Sequence, residues 1–118
     1  LCGMNFEYLL NILDQNSIDE LQIINPDPWH KKRHFKRRLV NLKNIIKISK
    51  IVKNKYASYI TTDSESYFNY INGIFSSNSN IIHENKNKIL SKNDELYGVS
   101  RYQRKAIKNG KKIYQLTF

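Results

Sequence analysis

Hydrophobic residues recur along this chain with the periods of helices and strands. The first group has the spacing of an amphipathic helix and consists of Phe6, Leu9, Leu10 and Leu13. Asn16 and Ser17 then predict a turn. Residues 20–24 predict a short strand, which must end before Pro26 and Pro28 because proline donates no hydrogen bond to a sheet.

The middle of the chain predicts a helix, a strand and a further helix. The first helix is expected to begin near residues 31–34 and to continue to about Ile51, with an inner face formed by Leu39, Leu42, Ile45 and Ile46. Residues 56–62 predict the strand, and Asp63 or Ser64 suits the N-cap of the following helix. That helix has the clearest period in the chain, and its expected buried side consists of Tyr67, Tyr70, Ile71, Ile74 and Phe75.

The last third of the chain has weaker signals. Residues 76–80 predict a polar linker, residues 81–82 are compatible with the start of a third strand, and residues 84–95 predict an exposed loop. Residues 112–118 alternate as a half-buried strand does, with Tyr114, Leu116 and Phe118 on one face. The order of these elements predicts an α/β fold with a layered sheet.

Two carboxylates follow two of the predicted strands. Asp27 comes just after the first strand and Asp63 just after the second. Ligands of open α/β sheets bind beyond the carboxyl ends of the strands, so we expect both side chains at one edge, beside the start of a basic helix. The sequence therefore predicts a site at this edge.

Composition limits the size of the fold and the kind of partner. With 118 residues and 14.0 kDa, the chain is long enough for one small domain, residues 1–118. Its formal net charge of +10 and its pI of about 9.7 favour an anionic partner. We favour nucleic acid over a merely solubilising charge, because the cations are clustered and interleaved with aromatic residues.

Cysteine content and hydropathy indicate the compartment. The one cysteine, Cys2, excludes an internal disulfide and suits a reducing cytoplasm. No apolar run approaches the roughly 20 residues needed to span a bilayer. The first residues also lack the basic segment of a signal peptide. We therefore expect a cytoplasmic protein without a membrane partner.

The segment 26–40 narrows the function most. It reads Pro-Asp-Pro-Trp-His-Lys-Lys-Arg-His-Phe-Lys-Arg-Arg-Leu-Val, with six Lys or Arg residues within eight positions. Trp29 suits either stacking on a base or packing under the turn, and we favour packing. His30 and His34 have the spacing of a helical metal pair, but no third ligand is near and the surroundings are strongly positive, so no metal is expected.

This segment resembles the corresponding motif of the bacterial tRNA (guanine-N7)-methyltransferases, which use S-adenosylmethionine. The similarity continues with Thr-Thr-Asp and a downstream tyrosine at 61–67, Ser-Arg-Tyr-Gln at 100–103, and Gly-Lys-Lys-Ile-Tyr-Gln-Leu-Thr-Phe at 110–118. It implies the C-terminal part of a Rossmann-like class I methyltransferase sheet. The family's glycine-rich cofactor loop has no counterpart here, so the N-terminal half that carries this loop is expected to be absent.

The resemblance implies a role for each matching residue. Asp27 is expected to be catalytic and to contact the cofactor, although an ordinary turn aspartate is the alternative. Asn5 falls near the position of an adenine-contacting aspartate. Lys31, Asp63 and the four residues Ser100, Arg101, Tyr102 and Gln103, expected on a C-terminal loop, would contact the substrate. The target implied is a guanine in the tRNA variable loop.

The other cations of the motif have two interpretations. Lys32, Arg33, Lys36 and Arg37 are expected to form an RNA phosphate surface, and a solvated helix face is the alternative. Arg37 or Arg38 would also suit internal ion pairs that hold the motif in place.

Departures from the family pattern leave three hypotheses. The family motif Thr-Lys-Phe-Glu is Ser-Arg-Tyr-Gln here, which removes the carboxylate at Gln103. The leading hypothesis is half of a methyltransferase, either within a longer chain or beside a separately encoded N-terminal half. The second is a non-catalytic, basic RNA-binding remnant. The third is a decayed gene product without a stable fold.

Overall fold

A computed structural model describes residues 5–53, 58–78, 86–90 and 101–118. Its helices are α1 (Phe6–Ile12), a 3-10 helix (Lys32–Arg37), α2 (Leu42–Ile51), α3 (Glu65–Ser77) and α4 (Arg101–Lys108). Its strands are β1 (Gln22–Ile24), β2 (Tyr59–Thr62), β3 (Lys86–Leu90) and β4 (Ile113–Thr117).

The four strands form one mixed sheet in the order β1-β2-β4-β3. β1 and β2 are parallel, with Ile23 beside Ile60. β4 runs antiparallel to both β2 and β3, and its Tyr114 lies beside Thr62 on one side and Ile89 on the other. The carboxyl ends of β1 and β2 and the amino end of β4 therefore meet at one edge of the sheet, which we call the carboxyl edge.

Polar side chains fix the starts of helices α1 and α3. The Asn5 side chain accepts a hydrogen bond from the Glu7 N–H at 2.8 Å, and this caps α1. The Ser64 hydroxyl accepts from the Tyr67 N–H at 3.2 Å and caps α3. These bonds satisfy backbone donors that have no partner in the first turn of a helix.

The main core lies between the sheet and helices α2 and α3. Its fully buried members include Ile48 of α2, Ile60 of β2, Ile71 of α3 and Leu116 of β4. A smaller cluster attaches α4 to strands β3 and β4, and it consists of Leu90, Ala106, Ile107 and Ile113. The predicted α/β class is confirmed, and the strands near 20–24, 56–62 and 112–118 are present within those bounds.

The prediction of one helix from residues 31–34 to Ile51 is wrong. The chain instead forms the 3-10 helix, leaves it at Arg38 and restarts α2 after the cap at Asn41. Side chains satisfy the backbone between the two helices: the Tyr67 hydroxyl accepts from the Val40 N–H at 3.0 Å, and Asn44 Nδ2 donates to the Leu39 carbonyl at 2.7 Å. The break therefore has its own hydrogen bonds, supplied in part by α3.

The predicted inner faces of the helices are partly correct. Ile45 is buried, but Leu42 is 41% exposed because it is the first residue of the restarted helix, and Ile48 and Ile51 are buried instead. In α3, Tyr67, Ile71 and Phe75 are buried as predicted, whereas Tyr70 is 36% exposed.

Two loop predictions are also wrong where the structure describes them. Residues 86–90 form β3 rather than an exposed loop, because they pair with β4. Residues 101–103 begin α4 rather than lying on a C-terminal loop. Residues 81–82, predicted as a possible strand start, and Cys2 lie outside the described residues.

Candidate active site

A surface cavity of about 570 Å³ lies at the carboxyl edge of the sheet. Two carboxylates and a phenol line it: Asp27 follows β1, Asp63 follows β2, and Tyr102 projects from α4. The remaining lining residues are Ile24, Asn25, Pro26 and Pro28. The structure thus brings together the two carboxylates that the sequence placed at one edge.

The loop that carries Asp27 has a constrained backbone. Asn25 and Trp29 on either side of it have positive φ angles of 46° and 44°. Asparagine tolerates this left-handed conformation, but a bulky residue such as tryptophan adopts it only under strain. The Asp27 side chain accepts the Trp29 N–H at 3.0 Å, and the Asn25 N–H donates to the Thr61 carbonyl at 2.9 Å. These bonds fix both ends of the loop.

Arg38 holds the same loop from the interior of the protein. Its side chain is 4% exposed, and its Nε donates to the Pro28 carbonyl at 2.7 Å. The guanidinium lies 3.9 Å from the ring centroid of Phe35, 4.7 Å from that of Tyr70 and 4.9 Å from that of Tyr67. Among the residues that the structure describes, Arg38 forms no ion pair, and a carbonyl and three aromatic faces stabilise the cation instead.

Tyr67 connects this cluster to α3. Burial raises the pKa of the Tyr67 hydroxyl to about 12, although the Val40 N–H and the positive charge of Arg38 both oppose that shift. The hydroxyl stays protonated at physiological pH and accepts a hydrogen bond, so it acts as a structural group under the site.

Trp29 packs against the basic segment. Its ring meets His34 edge to face at a centroid distance of 5.5 Å, and the Arg37 guanidinium lies 5.2 Å from the Trp29 ring centroid. These contacts support the packing interpretation over base stacking.

Asp63 and Tyr102 form the opposite wall. The predicted helix cap is supplied by Ser64, so the Asp63 carboxylate faces the cavity instead. The Tyr102 hydroxyl lies 3.5 Å from Asp63 Oδ2, and the Tyr102 side chain is 57% exposed. An exposed aromatic ring beside a carboxylate suits a planar base that carries N–H donors.

Gln103 supports the site without lining it. Its side chain is fully buried, and its Nε2 donates to Thr61 Oγ1 at 2.6 Å and to Asn25 Oδ1 at 3.2 Å. These bonds fasten α4 to the ends of both parallel strands. Sequence reasoning missed the roles of Asn25 and Thr61, because nothing in a local pattern shows which residue a distant helix contacts.

The cations of the basic segment face solvent. Lys31, Lys32, Arg33, Lys36 and Arg37 are all exposed on the 3-10 helix or at its start. In the described ranges, the recorded ion pair joins Lys53 and Asp19 at 3.3 Å and involves none of these cations. Their charges are therefore available to an external polyanion.

The remaining predicted site residues lie elsewhere. Asn5 caps α1 and does not line the cavity, and Ser100 lies outside the described residues. Among the residues that the structure describes, no group of three or more His, Cys, Asp or Glu side chains is arranged to hold a metal ion. Nor does this part of the chain contain a helix long and apolar enough to cross a membrane.

Comparison with known proteins identifies similar chains. Residues 1–116 match a family model described as "Putative methyltransferase". The chain is 34% identical over 113 residues to the tRNA (guanine-N(7)-)-methyltransferase of Buchnera aphidicola subsp. Schizaphis graminum, covering 92% of this chain and 47% of the relative. It is 33% identical over 111 residues to the enzyme of that name from Bartonella quintana, covering 93% and 48%. The chain thus spans about half the length of these curated relatives.

Proposed function

Because this chain belongs to that methyltransferase family, we propose that it forms the C-terminal part of an enzyme that methylates N7 of a guanine in tRNA. We take the target to be in the variable loop. The observation that carries the proposal is the shared cavity of Asp27 and Asp63 at the carboxyl ends of two adjacent parallel strands. Similarity to tRNA (guanine-N(7)-)-methyltransferases supports this choice of substrate.

The chemistry requires alignment more than proton transfer. S-adenosylmethionine supplies, when bound, a methyl group on a positively charged sulfur, and guanine N7 offers a lone pair without first losing a proton. The residues of this chain need not include a general base. Their task is to orient the guanine and to stabilise positive charge next to it.

Each carboxylate has a separate role in this proposal. Asp27, held by the Trp29 N–H and by two prolines of fixed φ, places negative charge at the reacting centre. Asp63 accepts hydrogen bonds from the N1–H and N2–H₂ donors of the guanine, and Tyr102 packs against the base. Because the loop of Asp27 is fixed before substrate arrives, little reorganisation is needed.

The cavity fits only part of the cofactor. The Asp27 carboxylate suits the cationic sulfonium by charge. The described glycines do not suit the methionine end: Gly73 lies within α3, and Gly110, at φ 85°, follows α4 where a helix ends. We propose that a glycine-rich loop on an N-terminal half completes the site. Adenine contact by Asn5 stays part of this proposal.

RNA contact is assigned to the basic segment. Lys31 pairs with a phosphate near the target base, and Lys32, Arg33, Lys36 and Arg37 follow the RNA backbone. Such contacts position RNA and carry little sequence information. The contact assigned to Arg101 lies next to Tyr102 at the start of α4, and the role proposed for Gln103 is to hold that helix in place.

The test is an Asp27→Ala variant of the enzyme completed with its N-terminal half. We expect loss of nearly all methyl transfer, because Asp63, the other carboxylate of the cavity, is assigned to the guanine and does not replace the charge of Asp27 at the reacting centre. The affinity for tRNA should change less than about twofold. The readout is methyl incorporation into tRNA, with N7-methylguanosine identified by nucleoside mass spectrometry. Asp14→Ala, at an exposed aspartate outside the cavity, is the control and should keep full activity.

Two results would contradict the proposal. Loss of tRNA binding in step with activity would make Asp27 a structural or RNA-binding residue. Tight, salt-sensitive tRNA binding without methyl transfer by the completed, unmodified enzyme would favour the RNA-binding remnant.

A further inference from the structure

A second cationic surface lies on α4 and the turn after it. Residues 101–112 contain six Lys or Arg residues and no Asp or Glu. All six side chains are exposed. We call this surface the α4 basic face, and it comprises Arg101, Arg104, Lys105, Lys108, Lys111 and Lys112.

The helix period puts four of these cations on one side. Positions 101, 104, 105 and 108 are three and four residues apart, whereas Gln103, Ala106 and Ile107 are buried against the sheet. Like charges at this spacing destabilise a helix. Arg101 also stands in the first turn, where the helix dipole disfavours a cation. An anionic partner would relieve this repulsion.

The described part of the chain supplies no counter-charge to the lysines of this surface. Within the ranges that the structure describes, Lys105, Lys108, Lys111 and Lys112 form no ion pair. The helix dipole stabilises the positive charges of Lys105 and Lys108 in the last turn of α4. Lys111 and Lys112 lie beyond the helix, so the dipole does not account for their charges.

The α4 basic face adjoins the candidate active site. Tyr102 lines the cavity of Asp27 and Asp63 and also a smaller one of about 200 Å³ beside Lys105 and Lys111. Because β4 is antiparallel to β2 and Tyr114 lies beside Thr62, the turn before β4 enters the sheet at the carboxyl edge. The lysines thus lie on the side of the sheet from which Asp63 emerges.

We propose that the α4 basic face binds the phosphate backbone of the tRNA next to the target guanine. This inference rests on the proposed function and adds a second RNA contact to the one assigned to the basic segment. An RNA backbone suits this surface better than a membrane, because the aliphatic residues of α4, Ala106 and Ile107, are buried against the sheet and are not available to lipid. Exposed Tyr102, between the two cavities, marks where the RNA passes from one surface to the other.

The test compares two double variants of equal charge. Lys108→Gln/Lys111→Gln removes two charges from the α4 basic face. Lys50→Gln/Lys53→Gln removes two from the C-terminal end of α2, which leads to the amino end of β2 at the opposite edge of the sheet. The Lys53–Asp19 pair lost in the control is exposed to solvent, so its loss changes the stability little. The dissociation constant for tRNA is measured from 50 to 300 mM salt, with thermal unfolding to confirm that both variants are folded.

We expect the α4 variant to weaken tRNA binding about tenfold near physiological salt and to lower the salt slope by about 2, because two phosphate contacts are lost. The control should leave the slope unchanged. Equal losses of tRNA affinity in the two variants would mean that net charge alone causes the effect, and this would overturn the proposal. Unchanged tRNA affinity in the α4 variant would also overturn it.

Other outcomes separate the inference from the function on which it rests. If the α4 variant bound tRNA with unchanged affinity while the completed enzyme transferred methyl groups, the proposed RNA contact at the α4 basic face would be overturned and the proposed methyltransferase function would be supported. If only the α4 variant had a lower salt slope, but the completed enzyme transferred no methyl group, the RNA contact at the α4 basic face would be supported and the catalytic proposal contradicted. If the chain bound anionic lipid vesicles more tightly than tRNA, and the α4 variant lost this vesicle binding, the α4 basic face would be a membrane-binding surface and the proposal of tRNA binding would be overturned.

Discussion

Asp27 derives its position from neighbours that are distant in sequence. Its own turn supplies one hydrogen bond, from the Trp29 N–H. The other supports come from Arg38 through the Pro28 carbonyl and from Thr61 through Asn25. An aspartate between prolines is common in turns, so it is the surrounding support that distinguishes this one as a candidate catalytic residue.

Tyr67 shows how a residue under the site responds to pH. The pKa of the hydroxyl is about 12 in the folded chain and near 10 in the unfolded chain, so the hydroxyl keeps its proton to a higher pH in the folded state. Its contribution to stability is complete below pH 10 and is lost as pH rises from about 10 to 12, because only the unfolded chain then gains by releasing the proton.

We therefore expect the stability lost in the Tyr67→Phe variant, relative to the unmodified chain, to be smaller at alkaline pH than at pH 8. At pH 8 the variant should be less stable by about 1–3 kcal/mol, because the buried Val40 N–H loses its acceptor. By pH 11 the gap should shrink. Denaturant unfolding at both pH values measures it, with Tyr70→Phe, at a 36% exposed tyrosine of the same helix, as control. A constant gap from pH 8 to pH 11 would contradict the assignment.

At the scale of elements, the interruption between the 3-10 helix and α2 is what positions the site. A continuous helix would extend the basic segment along its own axis. The break instead turns Arg38 inward, where it meets the Pro28 carbonyl and the aromatic rings of Tyr67 and Tyr70. The loop, the basic segment and α3 are thereby fixed relative to one another.

Arg38→Lys tests this arrangement. Lysine keeps the charge but lacks the planar guanidinium that stacks on rings while donating to a carbonyl. We expect a loss of about 1–3 kcal/mol in the free energy of unfolding, and in the completed enzyme a larger fall in the rate of methyl transfer than in tRNA affinity. Arg33→Lys, at an exposed position, should change the free energy of unfolding by less than about 0.5 kcal/mol.

The two readouts distinguish positioning from general stability. Arg38→Lys with unchanged stability and unchanged methyl transfer would mean that the loop holds its shape without the guanidinium. Equal falls in affinity and rate would indicate a general loosening of the chain.

At the scale of the whole molecule, the sheet has an unpaired side. β1 is an edge strand in the order β1-β2-β4-β3, so among the described residues it pairs only with β2. Parallel strands are usually covered on both faces and flanked by further strands. Ile24 at the end of β1 is 37% exposed, and Tyr8 and Ile12 on α1 are 56% and 52% exposed. We propose that an N-terminal half docks on the unpaired edge of β1 and on the exposed residues of α1.

We expect the chain alone to be marginally stable and to gain stability from that half. A partner present at about 100 times its dissociation constant adds about 2.7 kcal/mol to the free energy of unfolding. Thermal unfolding is measured with and without the part of the Buchnera relative that this chain does not match. A cooperative transition at high temperature for the chain alone, unmoved by that partner, would contradict this expectation.

The sequence by itself determined the α/β class, three of the strands and the meeting of Asp27 with Asp63. Local hydrophobic periods and prolines decide where strands end, and parallel strands bring their carboxyl ends to one edge. The motif at 26–39 also determined the family, because so specific a run of residues needs no structure to be identified.

Only the tertiary structure decided the helix break, the inward turn of Arg38, the strand at 86–90 and the helix at 101–108. Each depends on a partner far away in sequence: Tyr67 for the break, β4 for β3, and Thr61 for Gln103 of α4. Long-range partners of this kind leave no periodic trace in the local sequence. The backbone groups that Tyr67 and β4 satisfy are the same at every residue, and the Gln103–Thr61 bond joins two side chains that lie 42 positions apart.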